Sequence, residues 1–393
     1  MPELYWFGED EFGRPTTAAA QRTLNSPRPF LQYERVVPGA AERLGSVSSP
    51  IGVGLVNPDK EAINTIASLR SVQYLSLAFD ECPDWLPASL TRLTHVTYLR
   101  LVLTHSATCP PDLLARLGTL DNLAHLSMVG INVGGQDDLG AFFEMSLASI
   151  SLQACDGLGM IFNDRLASLP NLRSVSIMHT PLSKRTTSAI ARNTSVDTIS
   201  LRDCQVPADA LEELTPLKNL RGLDLEGVAL DKESMRQIAK FRCLERLSVR
   251  SCGANDAMIN LLTNPRLKVL WLSGNPVTNR TVGALTKIRE LADLDLACTA
   301  VDDTGASQLV RHLNLTRLGL SGTPVTDKAV GVLVEARVQC IDLSDTQIST
   351  EGLIKLASAS FLRELVVGSA GRSAREISRI RDARPRTDVI FSD

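Results

Sequence analysis

A spacing of 24 residues constrains this chain more than any other feature. The stretch LTRLGLSGTPVTDKAVGVL starts at Leu315, and near-copies start at Leu291 (LADLDLACTAVDDTGASQL) and Leu267 (LKVLWLSGNPVTNRTVGAL), 24 residues apart each time. Each copy changes period halfway. Its first half alternates apolar residues like a strand, and its second half spaces them like a short helix. A unit this short cannot bury its own apolar face, so neighbouring units must stack and share a core. The 393 residues therefore read as one array rather than as two or three compact domains.

With Leu315 as position 1, the template is LxxLxLxxTxV. Position 4 recurs at Ile51, Leu75, Leu99, Leu126, Ile150, Val175, Ile199, Leu223, Leu247, Leu270, Leu294, Leu318, Ile341, Leu365 and Val389, which predicts 15 strands. The intervals are 23–25 residues, except for 27 between Leu99 and Leu126. There, THSATCPPDLL, with Cys109, Pro110 and Pro111, reads as a loop insertion.

Positions 4 and 6 share one face of a strand and should point inward. Position 9 holds small hydrogen-bonding residues: Thr104, Cys155, Thr180, Cys204, Cys252, Asn275, Thr299, Thr323 and Thr346. These suit a stacked ladder that satisfies backbone groups where the chain leaves the strand. Position 12 is Ser183, Asp231, Asn255, Thr278, Asp302, Thr326 or Ser349, all good helix N-caps, and Pro207 takes the slot once. Positions 16 and 19 are apolar pairs, from Leu211 and Leu214 to Leu353 and Leu356, which mark the buried stripe of a short helix.

This pattern resembles the leucine-rich repeat superfamily, whose consensus is L-x-x-L-x-L-x-x-N/C-x-L. The tail TPVTDKAV is similar to the short repeats of bacterial members and, more loosely, to the cysteine-containing repeats associated with F-box proteins. The resemblance spans residues 50–391 and implies an α/β fold: a right-handed solenoid or horseshoe, with a concave parallel sheet of about 15 strands and short convex helices. It implies a scaffold, not an activity.

Residues 1–49 differ from the array. They hold Tyr5, Trp6, Phe7, Phe12, Phe30 and Tyr33 among closely spaced prolines. They read as a cap over the first repeat or as a segment that docks a partner. At the other end, a capping repeat begins near residue 362, where Ser373 and Glu376 have capping-box spacing. Arginines 372, 375, 379, 381, 384 and 386 read as the solvated face of the last helix, because no aromatic residues interleave with them as a nucleic-acid platform would require.

Chemistry is sparse. The five histidines show no metal-protease spacing, and no phosphate loop or nucleophile elbow is present. The eight cysteines form no CxxC pair. Cys155, Cys204 and Cys252 are two repeats apart at position 9 and read as ladder residues, so no metal or cofactor is expected and the chain does not read as an enzyme. The net charge of −3 gives no bulk pull toward nucleic acid or an anionic membrane. With no secretion signal or apolar membrane span, a cytoplasmic chain with reduced thiols is expected.

Positions 3, 5, 7 and 8 are expected to line the concave face. The central strands place Arg202, Asp224, Glu226, Arg246, Arg250 and Trp271 there, and earlier strands place an apolar zone of Tyr74, Phe79, Tyr98, Leu103 and Met178. Arg202, Glu226 and Arg250 read either as an ion ladder across adjacent strands or as a recognition patch. Arg and Trp are enriched at binding hot spots. The expected function is non-catalytic binding of a partner protein on this face. The alternative is a substrate-recognition adaptor in which residues 1–49 recruit a ubiquitin-ligase or signalling subunit.

Overall fold

The computed structural model describes residues 30–33, 50–132, 141–157, 166–180, 182–206, 210–383 and 387–392. The chain divides into two compact units, Met1–Pro181 and Leu182–Asp393. The first unit carries strands Phe30–Tyr33 (β1), Ile51–Val56 (β2), Val72–Phe79 (β3), Tyr98–Thr108 (β4), His125–Asn132 (β5), Ser149–Gln153 (β6) and Ser174–Met178 (β7). Each pairs in parallel with the next. The second unit carries Thr198–Arg202 (β8), Gly222–Asp224 (β9), Arg246–Ser248 (β10), Val269–Trp271 (β11), Asp293–Asp295 (β12), Arg317–Gly319 (β13), Cys340–Asp342 (β14), Glu364–Gly368 (β15) and Asp388–Ser392 (β16). These strands are also parallel, in chain order. One strand per repeat, returned by a short helix to pair with the strand of the next repeat, is the leucine-rich-repeat solenoid.

The template positions behave as their chemistry dictates. Leu223, Leu247, Leu270, Leu294 and Leu318 at position 4, and Leu225, Val249, Leu272, Leu296 and Leu320 at position 6, are buried. So are the helical pairs at positions 16 and 19, including Met235 with Ile238 and Val330 with Leu333. The core thus lies between the sheet and the helices. All seven side chains expected as N-caps accept a first-turn amide, as Asp231 does from Ser234 at 2.7 Å and Asp302 from Thr304 at 2.8 Å. Pro207 lies outside the described residues. The Ser373–Glu376 capping box forms. On the same helix Arg379 pairs with Glu351 at 2.7 Å, while Arg381 lies over Phe391; residues 384 and 386 lie outside the described residues.

The position-9 ladder is bonded throughout the array. Asn275 Nδ2 donates to the Val249 and Leu272 carbonyls at 2.7 and 2.8 Å, and its Oδ1 accepts from the Cys252 and Ala254 amides. The Cys252 thiol donates to the Leu225 carbonyl at 2.6 Å. The Thr299, Thr323 and Thr346 hydroxyls donate to carbonyls three residues back. Burial pushes the Cys252 thiol up to about 12, so it stays protonated and remains a donor. Thr104 departs from the ladder: it is exposed and donates to Asp80.

Four features depart from the sequence reading. First, a further strand, β1, precedes the 15 expected, with Leu31 opposite Val53. Second, Val53 and not Ile51 stands opposite Leu75, because a register shift intervenes at the start of β2. Third, the insertion after Leu99 is not simply a loop. β4 extends through it to Thr108, and a register shift between Val102 and Ala107 absorbs the extra residues in the manner of a bulge.

The fourth concerns position 8. From β5 onward this residue is left-handed in ten successive repeats: Gly130, Ala154, His179, Asp203, Gly227, Ser251, Gly274, Cys298, Gly322 and Asp345, with φ between 48° and 69°. In the second unit its amide closes the last rung of the ladder, as from Gly227 to the Arg250 carbonyl at 2.9 Å, and the chain then turns out of the sheet. Position 8 is therefore a turn residue, not a face position. Phe79 and Leu103 escape the turn because β3 and β4 run on, so period 2 points them inward with positions 4 and 6. Both are core residues, 3% and 5% exposed, and not part of an open-face zone.

From Asp203 onward the column alternates side chain and glycine. A Cβ on Gly227 would collide with the Asp203 carboxylate, and one on Gly274 would lie 2.6 Å from Ser251 Oγ. One on Gly322 would lie 3.1 Å from Cys298 Sγ. Each side chain leans into the room left by the next repeat's glycine.

Candidate functional site

Positions 3, 5 and 7 project from the sheet face opposite the helices, and their residues are mostly half-buried. In the second unit the position-5 side chains stand in register across five strands: Ser200, Asp224, Ser248, Trp271 and Asp295. Arg202 and Arg250 flank this row at position 7.

Two clusters form, rather than a continuous ladder. In the first, Arg202 Nε and Nη2 both reach Asp224 Oδ2, at 2.6 and 2.5 Å, with Glu226 farther off at 3.7 Å. In the second, Arg250 turns away from Glu226. Its guanidinium carbon lies 4.3 Å from the Trp271 ring centroid, and its Nη2 donates to Asp295 Oδ2 at 3.3 Å, two strands along. Trp271 is pinned at its other end, where Nε1–H donates to Asp293 Oδ1 at 3.2 Å. Burial pushes the Asp293 carboxyl above its ordinary value, opposed by the hydrogen bond from Trp271. An exposed pair such as Arg202–Glu226 is worth roughly 0–1 kcal/mol. The stacked, half-buried Arg250–Trp271 pair adds about 0.5–1 kcal/mol of cation–π attraction.

Arg246 is exposed and forms no ion pair among the described residues. Its Nη2 lies over Gly222, where a Cβ would stand 3.1 Å away, so the glycine leaves room for the guanidinium to lie down on the sheet. The six central residues thus all lie on one face. Asp293, Asp295 and Ser248 join them, although charge type alone did not single these three out. Strand register is the signal that finds them, since each is a same-face neighbour of Trp271 in position 3 or 5.

In the first unit, Tyr74, Tyr98 and Met178 stand half-buried on the open face. The two tyrosine rings are 6.3 Å apart, and His125 continues the row 6.2 Å from Tyr98. His125 Nδ1 is 2.7 Å from Ser149 Oγ, and burial lowers its pKa. Among the described residues, no group of three or more His, Cys, Asp or Glu could hold a metal ion, and no helix is long and apolar enough to cross a membrane.

No protein-family model and no curated protein matches the chain. Several solved structures are similar. A leucine-rich-repeat protein of Leptospira interrogans is 17% identical over 95% of this chain and 98% of its own, with a TM-score of 0.49. An internalin of Listeria monocytogenes is 16% identical over 84% of this chain and 83% of its own, with a TM-score of 0.42. A chain of the mouse RP105/MD-1 complex is 16% identical over 85% of this chain, which spans 56% of it, with a TM-score of 0.48.

Proposed function

We propose that this chain is a non-catalytic scaffold that binds a partner protein on the open sheet face of its second unit. The observation that carries this reading is the Arg250–Trp271 stack. A large aromatic and a guanidinium lie stacked on adjacent strands, with the carboxylates of Asp224 and Glu226 on the strand before them and those of Asp293 and Asp295 on the strand after. Both types concentrate binding energy, and both are already held in place, by Asp295 and Asp293. Pre-ordered side chains lose little entropy on binding. Arg202, Asp224, Glu226 and Arg246 extend the surface, and their mixed charge favours selection among partners over raw affinity.

The test is affinity purification from the native source with the wild-type chain and with Arg250→Glu/Trp271→Ala, each confirmed folded by circular dichroism. A partner held by the wild type is expected to bind the variant about thirtyfold or more weakly, the worth of a hot-spot residue or better. Equal recovery by both forms would remove this face from consideration.

A further inference from the structure

Two cysteines of the first unit hold matching places in successive repeats. Cys82 opens the stretch CPDWL, and Cys109 opens CPPDL. Each begins the turn from a strand into a short helix, Leu86–Leu90 in one repeat and Leu113–Leu117 in the next. The two turns close alike: the Leu86 amide donates to the Pro83 carbonyl and the Leu113 amide to the Pro110 carbonyl, both at 3.0 Å. Strand register explains the match. Phe79 on β3 stands opposite Leu103 on β4. The bulge in β4 then spends five steps, 102 to 107, where β5 spends two, 129 to 131, so it absorbs three residues. Cys82 is three residues past Phe79 and Cys109 six past Leu103, and six less the three absorbed makes them equivalent. Equivalent residues of neighbouring strands lie about 5 Å apart, within the roughly 4.4–6.8 Å that a disulfide spans between Cα atoms. The thiols themselves meet, with the Cys109 S–H donating to Cys82 Sγ.

This contact splits their chemistry. The hydrogen bond from Cys109 holds the Cys82 thiol below its ordinary value, against burial and the Asp84 carboxylate. The same bond, with burial, pushes the Cys109 thiol up. Cys82 is half-buried, and Cys109 is 8% exposed. The thiolate therefore forms at the sulfur that solvent reaches, with a protonated thiol against it. Cys155 is placed differently. Burial pushes its thiol up, and its S–H is spent on the Met128 and Gln153 carbonyls, each at 3.4 Å.

We propose that Cys82 and Cys109 are a peroxide-responsive dithiol whose reversible disulfide staples two consecutive repeats of the first unit. The Cys82 thiolate attacks one oxygen of hydrogen peroxide. The O–O bond breaks, and the other oxygen leaves as hydroxide and takes a proton from solvent to become water. Cys82 is then a sulfenic acid. The Cys109 sulfur attacks it, the S–O bond breaks, and hydroxide leaves with the Cys109 proton as a second water. The two sulfurs together lose two electrons, and the peroxide gains them. A small dithiol reverses the step by exchange.

Peroxide treatment of the folded full chain tests this. The reduced chain is exposed to hydrogen peroxide, and free thiols are then blocked with N-ethylmaleimide in urea. Trypsin without reductant places Cys82 in residues 71–92 and Cys109 in residues 101–116. The two peptides are expected to be joined, about 2 Da below their summed masses, and to separate in dithiothreitol. The joined chain should melt roughly 5 °C above the reduced one, because the cross-link restricts the unfolded chain. In Cys109→Ser, Cys82 should accumulate as a sulfenic acid that dimedone labels. In Cys82→Ser, Cys109 should be recovered blocked by the maleimide. Both peptides recovered blocked from the wild type would overturn the proposal, as would Cys109 joined to Cys155. Dimedone on Cys109 in Cys82→Ser would overturn the roles assigned to the two sulfurs. A melting temperature unchanged by oxidation would overturn the staple. None of these outcomes bears on the open face of the second unit, so the two readings fall separately.

Discussion

At the residue scale, the left-handed turn at position 8 makes the sharpest demands. Gly130 has φ 67°, and a Cβ there would collide with the Leu103 carbonyl oxygen, a backbone atom that cannot swing aside. Gly130→Ala is therefore expected to cost more than about 2 kcal/mol, combining left-handed strain with the clash. Ala154 holds the same conformation at φ 48°. Ala154→Gly should relieve that strain and stabilise by about 0.5–1 kcal/mol, after allowing for the looser unfolded chain. Urea unfolding of the two variants checks both signs. Little in the letters announces this turn. Ala, Ser and Cys do not mark a turn by themselves, and only the glycines in alternate copies, with Asp203, Asp345 and His179, hint at a left-handed residue. The direction of Arg250 was equally hidden. Period 2 places Glu226 and Arg250 on the same face, but a guanidinium reaches farther than one strand spacing. The indole beside it and the carboxylate beyond decide where it goes.

At the scale of the element, each repeat is held by a small number of polar bonds at fixed positions. Asp302 accepts from Thr304 and Gly305 amides and from Asn279, so Asp302→Ala should cost about 1–2 kcal/mol by thermal or chemical unfolding. The same bonds carry a pH signature. Asn279 holds the Asp302 carboxyl below its ordinary value of 3.8, and the Ser234 amide does so for Asp231. Both folded values are depressed, so the stabilisation is present above about pH 4 and is lost as pH falls through the folded values. Replacing Asp231 and Asp302 by Asn should flatten that acid limb in a stability profile against pH. These positions were legible in the sequence because a cap or a ladder residue needs a particular chemistry within one turn of chain. Ile51 misled because no complete template precedes it, and register is set by the neighbouring strand. The long β4 misled because a bulge keeps no sequence signature as strong as Pro110 and Pro111.

At the scale of the whole molecule, strands pair only with their neighbours within each unit, so stability accumulates repeat by repeat. Residues 182–393 form one compact unit with their own buried leucine core. Expressed alone, they are expected to give a folded circular dichroism spectrum with a cooperative melt, and a disordered spectrum would show that the unit depends on the residues before it. The alternation of side chain and glycine at position 8 has a consequence for how such a chain can change length. Removing residues 267–290, one copy, would seat Ser251 directly against Cys298 with no glycine between them. Removing residues 267–314, two copies, would seat Ser251 against Gly322 and preserve the fit. In this part of the array, deletion of a pair of copies is expected to leave the chain more stable to heat than deletion of one, because only the pair keeps a glycine opposite Ser251.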